Sequence, residues 1–196
     1  KKYAAGNVFR DGPIKTGRYR QFMQMDPDIV GTKSMLADAE MLSLAEMVFK
    51  KIGFDVVIEL NNRKIIDGIM ELAEINEKDR FSVIISIDKL KKMGEEAVKK
   101  ELKEKKLDNK QIGIIINGFK QGEDNKGTLN NLKELLSNGA GQEGVKETEK
   151  LLDYLDMFGV ESVVFNPSLA RGLAYYTGPV FEVFMKDSGI KSSIAG

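Results

Sequence analysis

Two stretches of the sequence gather cations, amides, carboxylates and phenols at close spacing. The first is Phe9-Arg10, a turn at Asp11-Gly12-Pro13, then Gly17-Arg18-Tyr19-Arg20-Gln21-Phe22-Met23-Gln24-Met25-Asp26-Pro27-Asp28-Ile29. The second is Leu169-Ala170-Arg171-Gly172-Leu173-Ala174-Tyr175-Tyr176-Thr177-Gly178-Pro179-Val180-Phe181-Glu182. Residues 18–30 read as a strand, and side chains alternate between the faces of a strand. Arg18, Arg20, Phe22, Gln24, Asp26 and Asp28 then share one face, and Tyr19, Gln21, Met23, Met25 and Ile29 the other. The first face is mostly charged or amide-bearing, the second mostly apolar. Two readings stay open: a half-buried strand with its polar side in water, or a polar face that forms the floor of a binding site.

The chemistry available to such a floor is narrowed by what the chain lacks. Its 196 residues include no histidine and no cysteine. Zinc-hydrolase, Ser-His-Asp and Cys-His schemes therefore fail, as do disulfides and thiolate metal sites. Carboxylates, Arg, Lys, Tyr and backbone groups remain. Lys+Arg and Asp+Glu are both 30, so the net charge is zero. A chain that held nucleic acid by bulk charge would be basic, so any RNA contact must come from a local patch or from other parts of a protein. No apolar run approaches the roughly 20 residues of a membrane span. The start, Lys1-Lys2-Tyr3-Ala4-Ala5-Gly6, has no signal-peptide apolar region behind it. The expectation is a soluble cytoplasmic protein. The first residue is not Met and the chain stops at Ser193-Ile194-Ala195-Gly196, which reads as a fragment at both ends.

The elements that must position these residues follow from periodicity. Residues 3–10 are β-compatible. From Ser34 to Ile52 an amphipathic helix is predicted, with Leu36, Ala39, Leu42, Ala45, Phe49 and Ile52 at helical spacing. Lys50 and Lys51 suit its last turn and Gly53 its stop. Residues 54–60 read as a strand, Asn61-Asn62 as a turn and 63–75 as a helix. The Lys/Glu-rich run over 88–106 has Val98 and Leu102 on its helical period and reads as a solvated helix face. Gly118 to Gly127 reads as a polar loop, 128–136 as a short helix, Gly139-Ala140-Gly141 as a break, and 143–158 as a helix ending at Gly159. Strands are predicted over 161–165 and 179–185. The order implies an α+β fold with an antiparallel sheet flanked by helices. Residues 80–145 are expected to be a mostly helical insertion between core segments 1–79 and 146–196.

The first stretch resembles motif 2 of class II aminoacyl-tRNA synthetases. Its Gly-Arg-Tyr-Arg-x-Phe-x-Gln-x-Asp-x-Asp-Ile form resembles the histidyl-tRNA synthetase family, particularly its archaeal and eukaryotic branch. The second stretch resembles that family's histidine-binding signature. Leu36-Ala37-Asp38-Ala39-Glu40 and Leu60-Asn61-Asn62-Arg63 also look like family segments. The resemblance implies activation of histidine with ATP, accompanied by Mg²⁺, to histidyl-adenylate, and transfer to tRNA(His) by a homodimeric full-length enzyme. It assigns Arg10 and Arg18 to ATP, with Arg10 holding the α-phosphate and the substrate carboxylate. Arg171 becomes the catalytic cation at the α-phosphate and also lines the histidine site. Asp28 and Tyr176 partner the imidazole nitrogens and Gln24 takes the α-amino or carboxylate end, while Tyr175 is either a ligand contact or core packing. A protein-bound metal is not implied. Activation needs no protein base, because the substrate carboxylate is already a nucleophile. Fixed cations stabilise the charge gathered at phosphorus, and the planar, always-charged guanidinium suits that task.

One departure stands out: Ala174 occupies a position where the family pattern has an acidic residue. Motif 1 is expected before Lys1, and motif 3 and an anticodon-binding domain after Gly196. Two non-enzyme relatives share the fold: the regulatory paralogue of histidine biosynthesis, and the pseudo-synthetase domain of a kinase that senses uncharged tRNA. Both tend to lose the motif residues that this chain keeps. Arg171→Ala is expected to leave folding nearly intact and to cut histidine activation by about 10²–10³ or more, the effect of losing one fixed stabiliser of developing charge. Unchanged activity would remove Arg171 from the chemistry.

Overall fold

The structure is a computed structural model that describes residues 1–14, 19–137, 139–170, 176–190 and 192–196, the side chains of Asp88, Lys91 and Lys92 excepted. Strands β1 (Lys2–Phe9) and β2 (Gln21–Asp28) form an antiparallel hairpin in which Phe9 opposes Gln21 and Lys2 opposes Asp28. Helix α1 (Met35–Lys51) follows, then β3 (Val56–Asn62) and α2 (Arg63–Leu72). The helices α3 (Glu77–Asp88), α4 (Leu90–Met93), α5 (Glu95–Glu104), α6 (Asn109–Phe119), α7 (Asn125–Leu135) and α8 (Gly139–Phe158) come next. The chain then returns to the sheet as β4 (Val163–Phe165) and β5 (Pro179–Met185). Among the described residues, β4-β3-β5 form a second sheet, in which β5 is antiparallel and β4 parallel to β3. The parallel pairing is possible because the whole helical run intervenes between β3 and β4, and parallel strands need a long crossover.

Local chemistry sets the boundaries. Ser34 caps α1 by accepting from the Leu36 N–H, and Gly53 ends the helix with φ of 83°. Ala39 and Leu42 of the predicted stripe are buried, whereas Leu36 and Ile52 near its ends are exposed. The Asn61-Asn62 pair is not a turn: Asn61 stays in β3 and Asn62 is the N-cap of α2, its Oδ1 accepting from the Lys64 N–H at 3.0 Å. The charged run is broken at Gly94, where φ is 80°, but Val98 and Leu102 are buried as their spacing predicts. Asp108 and Gln111 close a capping box on α6.

Two apolar clusters result. One is helical and includes Ile65, Ile69, Val83, Leu102, Ile115 and Leu132. The other lies between α1, α8 and the β3 sheet and includes Ala39, Leu42, Ile58, Leu155 and Val183. Helix α8 serves both, with Val145 in the first and Leu151 in the second. Gly139-Ala140-Gly141 begins this helix rather than breaking the chain. The glycines let α8 approach α2 closely: a Cβ on Gly68 would lie 2.4 Å from Gly141 Cα. Backbone cannot yield there as a side chain could. Gly68→Ala is expected to lower stability in urea denaturation by about 1–3 kcal/mol, the usual cost of overpacking. Gly113→Ala, on an exposed turn of α6 with open space around it, is expected to raise it by about 0.5–1 kcal/mol.

Candidate active site

The hairpin carries the first candidate residues. Register puts Phe22, Gln24, Asp26 and Asp28 on one face with Val8, Gly6, Ala4 and Lys2. Arg10 continues that parity beyond β1, its N–H donating to Arg20 O at 2.9 Å. Its Nε donates to Tyr19 O at 3.1 Å, and the guanidinium lies 4.4 Å from the Phe22 ring centroid. Stacking over an aromatic face holds a cation without neutralising it. Gln24 Nε2 donates to Asp26 Oδ1 at 2.6 Å, and Asp28 pairs with Lys2 at 3.3 Å. The structure thus brings Arg10, Gln24 and Asp28 to one face. Arg18 lies outside the described residues.

Burial on the hairpin reverses the simpler reading of its alternation. Met23 and Met25 are 71% and 54% exposed, and Tyr3 and Phe9, on the same face, are both 74% exposed. Phe22, Gln24, Gly6 and Val8, on the polar-parity face, are the half-buried ones. Phe22 under Arg10 gives that face an apolar element that a count of charges overlooks.

The second set lies at the C-terminal end of β3. Asn61 is fully buried, and its Nδ2 donates to Pro167 O at 2.7 Å and Leu169 O at 2.9 Å. Asn166 N donates to Leu60 O at 2.8 Å, and Asn166 Nδ2 to Glu59 Oε2 at 2.6 Å. The Ser168 hydroxyl donates to Asn166 Oδ1 at 2.7 Å. Downstream, the Arg63 N–H donates to Gly178 O at 2.9 Å. Glu59 and Glu182 sit directly opposite each other across β3 and β5, on the same strand face as Asn61. Tyr176 is half-buried three residues before β5. Arg171, Ala174 and Tyr175 lie outside the described residues. Tyr176 therefore leads into the β3 sheet, while Arg10, Gln24 and Asp28 belong to the separately hydrogen-bonded hairpin. Asn61, Asn166 and Glu59 were missed as structural determinants, because two asparagines after an apolar strand have the composition of a turn.

A charge network braces the same corner. Lys64 Nζ lies 2.8 Å from Glu143 and 2.7 Å from Glu147, and Asn62 Nδ2 donates to Glu147 at 3.0 Å. Glu143 and Glu147 push the Lys64 ammonium above the ordinary lysine range, and Lys64 holds the Glu143 carboxyl below the usual carboxylate range.

An α+β fold with an Arg/Gln/Asp-bearing hairpin, and a second sheet that the chain after Tyr176 enters as β5, is that of a class II synthetase-like core. Comparison with known proteins agrees. The profile of the histidyl-tRNA synthetase family matches residues 2–196. "Histidine--tRNA ligase 1" of Bacillus cereus is 43% identical over 195 residues, covering 99% of this chain and 44% of that protein. A crystal structure of histidyl-tRNA synthetase from Nostoc sp. superposes with TM-score 0.81 at 34% identity, covering 93% of this chain and 43% of that one. A Bacillus halodurans structure titled as an ATP phosphoribosyltransferase regulatory subunit/histidyl-tRNA synthetase gives TM-score 0.77 at 20% identity, covering 95% of this chain and 48% of that one, and shares the fold. The chain belongs to the histidyl-tRNA synthetase family, and it spans less than half the length of the relatives it matches. The expected archaeal and eukaryotic character is overturned, since these relatives are bacterial.

The network gives a signed pH prediction. Lys64 has a raised folded pKa, so its contribution is complete below about pH 10 and is lost as pH rises through the folded value. Glu143 has a lowered one, so its contribution is complete above about pH 4.5 and is lost as pH falls through the folded value. Lys64→Met is expected to cost up to about 1 kcal/mol near pH 7, as partly exposed pairs do. Urea denaturation should show that difference shrinking at both pH extremes; a pH-independent difference would assign the effect to packing.

Proposed function

We propose that this chain is the catalytic-core portion of a histidine–tRNA ligase, which activates histidine with ATP to histidyl-adenylate and transfers it to tRNA(His). The observation that carries the reading is the family match over residues 2–196 together with Arg10, Gln24 and Asp28 sharing one hairpin face. In this reading the histidine carboxylate oxygen bonds to the α-phosphorus of ATP, the bond to the β-phosphate oxygen breaks, and pyrophosphate leaves with its electron pair. Arg10, preset by its stacking over Phe22, faces the α-phosphate and the reacting carboxylate. Arg171 is the second cation there, and Arg18 contacts ATP. Such fixed cations need no reorganisation as charge develops. Mg²⁺ would enter with the nucleotide, held mainly by its phosphates.

Asp28 and Tyr176 partner the imidazole, Gln24 the α-amino or carboxylate end, and Tyr175 the ligand or the core beside it. A site of this kind rejects apolar side chains strongly, because they leave its polar groups unpaired. The helices over 80–145, packed against Ile65 and Ile69 of α2, form an insertion that reaches toward the tRNA acceptor arm. The full protein works in the cytoplasm as a homodimer. Among the described residues no helix is long and apolar enough to cross a membrane. Retention of Arg10, Gln24 and Asp28 favours the enzyme over a regulatory paralogue of the same fold.

The test is histidine-dependent ATP–pyrophosphate exchange by the protein as it is encoded. Asp28→Ala is expected to weaken histidine use by about 10–100-fold, the worth of one charged hydrogen bond, with little change in the ATP requirement. Absence of exchange with histidine, or exchange driven equally by other amino acids, would contradict the reading.

A further inference from the structure

The described residues on either side of Arg171 and Tyr176, at 167–169 and at 178, are both anchored to one end of one strand. Upstream, the Asn61 amide uses both of its N–H donors on Pro167 O and Leu169 O, at 2.7 and 2.9 Å. Leu169 N also donates to Asn166 O at 3.0 Å, and Asn166 N to Leu60 O at 2.8 Å. Downstream, Gly178 O accepts from the Arg63 N–H, and Val180 lies opposite Asn61 in the sheet. Residues 169 and 178 are therefore both fixed within three residues of β3, and the chain between them leaves and returns at that corner.

Asn61 is the side chain that fixes the departure. It is fully buried, and two carbonyls that pass the end of the sheet have it as their donor. Its own Oδ1 is buried with no hydrogen-bond partner among the described residues. An unsatisfied buried oxygen costs stability, which is expected of a residue kept for geometry more than for core packing. We propose that Asn61 is a positioning residue for the reaction: by holding Pro167 and Leu169 it sets where Arg171 and Tyr176 are delivered. The inference rests on the reading of those two residues as substrate contacts.

A comparison residue separates positioning from stability. Asn125 also makes two side-chain bonds to backbone, donating to Val163 O at 2.9 Å and accepting from Phe165 N at 2.7 Å, but it braces the far edge of β4. Asn61→Ala and Asn125→Ala would be compared in the protein as it is encoded. The readouts are histidine-dependent ATP–pyrophosphate exchange, urea stability, and amide hydrogen exchange of the peptide covering 168–178. Asn61→Ala is expected to lower kcat/KM by about ten-fold or more, as displacement of catalytic groups by an ångström does, and to speed amide exchange in 168–178. Asn125→Ala should stay within about two-fold in kcat/KM even if its stability falls as far, because it does not touch the loop's flanks. If Asn61→Ala fails to fold, Asn61→Ser, which keeps one donor, should show a smaller loss of the same kind. Wild-type activity left intact by Asn61→Ala or Asn61→Ser, or lost equally in Asn125→Ala, would overturn the positioning role. A wild type without histidine-dependent exchange would instead remove the functional reading beneath it.

Discussion

Three consecutive residues at the end of β3 organise the molecule. Asn61 turns its amide onto Pro167 and Leu169, Asn62 caps α2 and reaches Glu147 of α8, and the Arg63 N–H takes Gly178. The sheet, the helical run and the chain at residues 167–169 and 178 therefore meet at one buried corner, where a polar group cut off from water costs stability unless it is paired, as both N–H groups of the Asn61 amide are and its Oδ1 is not. Asparagine suits this corner because it is short and offers donors and an acceptor on one planar group. Neither a longer glutamine nor an apolar residue would place two donors on carbonyls so close to the strand.

The same corner couples to the packing of α8 against α2. Close approach at Gly68 and Gly141, with Gly144 set against Lys64, brings Glu143 and Glu147 within reach of the Lys64 ammonium. One helix thereby joins the helical cluster to the sheet cluster, and a shift of α8 would be felt at Asn62. The hairpin is different in kind. It holds Arg10 through local contacts, the Tyr19 carbonyl and the Phe22 ring, and an ion pair of Lys1 with Glu40 ties its start to α1.

Much of this was legible in the sequence where local patterns agree with tertiary demands. The first long helix was readable from Ser34 to Ile52 because cap, stripe and terminal lysines coincide, and the strand over 179–185 because its alternation is clean. Gln24 and Asp28 fall on one face, as alternation requires. Three features were not legible. Asn61-Asn62 has the composition of a turn, and only the distant carbonyls of 167 and 169 make it a strand end. Gly139-Ala140-Gly141 looks like a break, and only Gly68, some seventy residues earlier, makes it a helix start. The exposed Met23 and Met25 face reads as a core face from sequence, because alternation gives parity but not direction.

The proposed histidine pocket would draw its partners for the imidazole and for the α-amino or carboxylate end from residues 24 to 28 and 171 to 176. Calorimetric titration of the chain with a non-hydrolysable histidyl-adenylate analogue, against a phenylalanyl-adenylate analogue, tests that claim most directly. Binding of the histidyl compound is expected with discrimination of at least about a hundred-fold, since an apolar ring would leave the polar groups of such a pocket unpaired. Equal affinity for the two compounds would contradict it, showing a site that holds the adenylate moiety without reading the side chain.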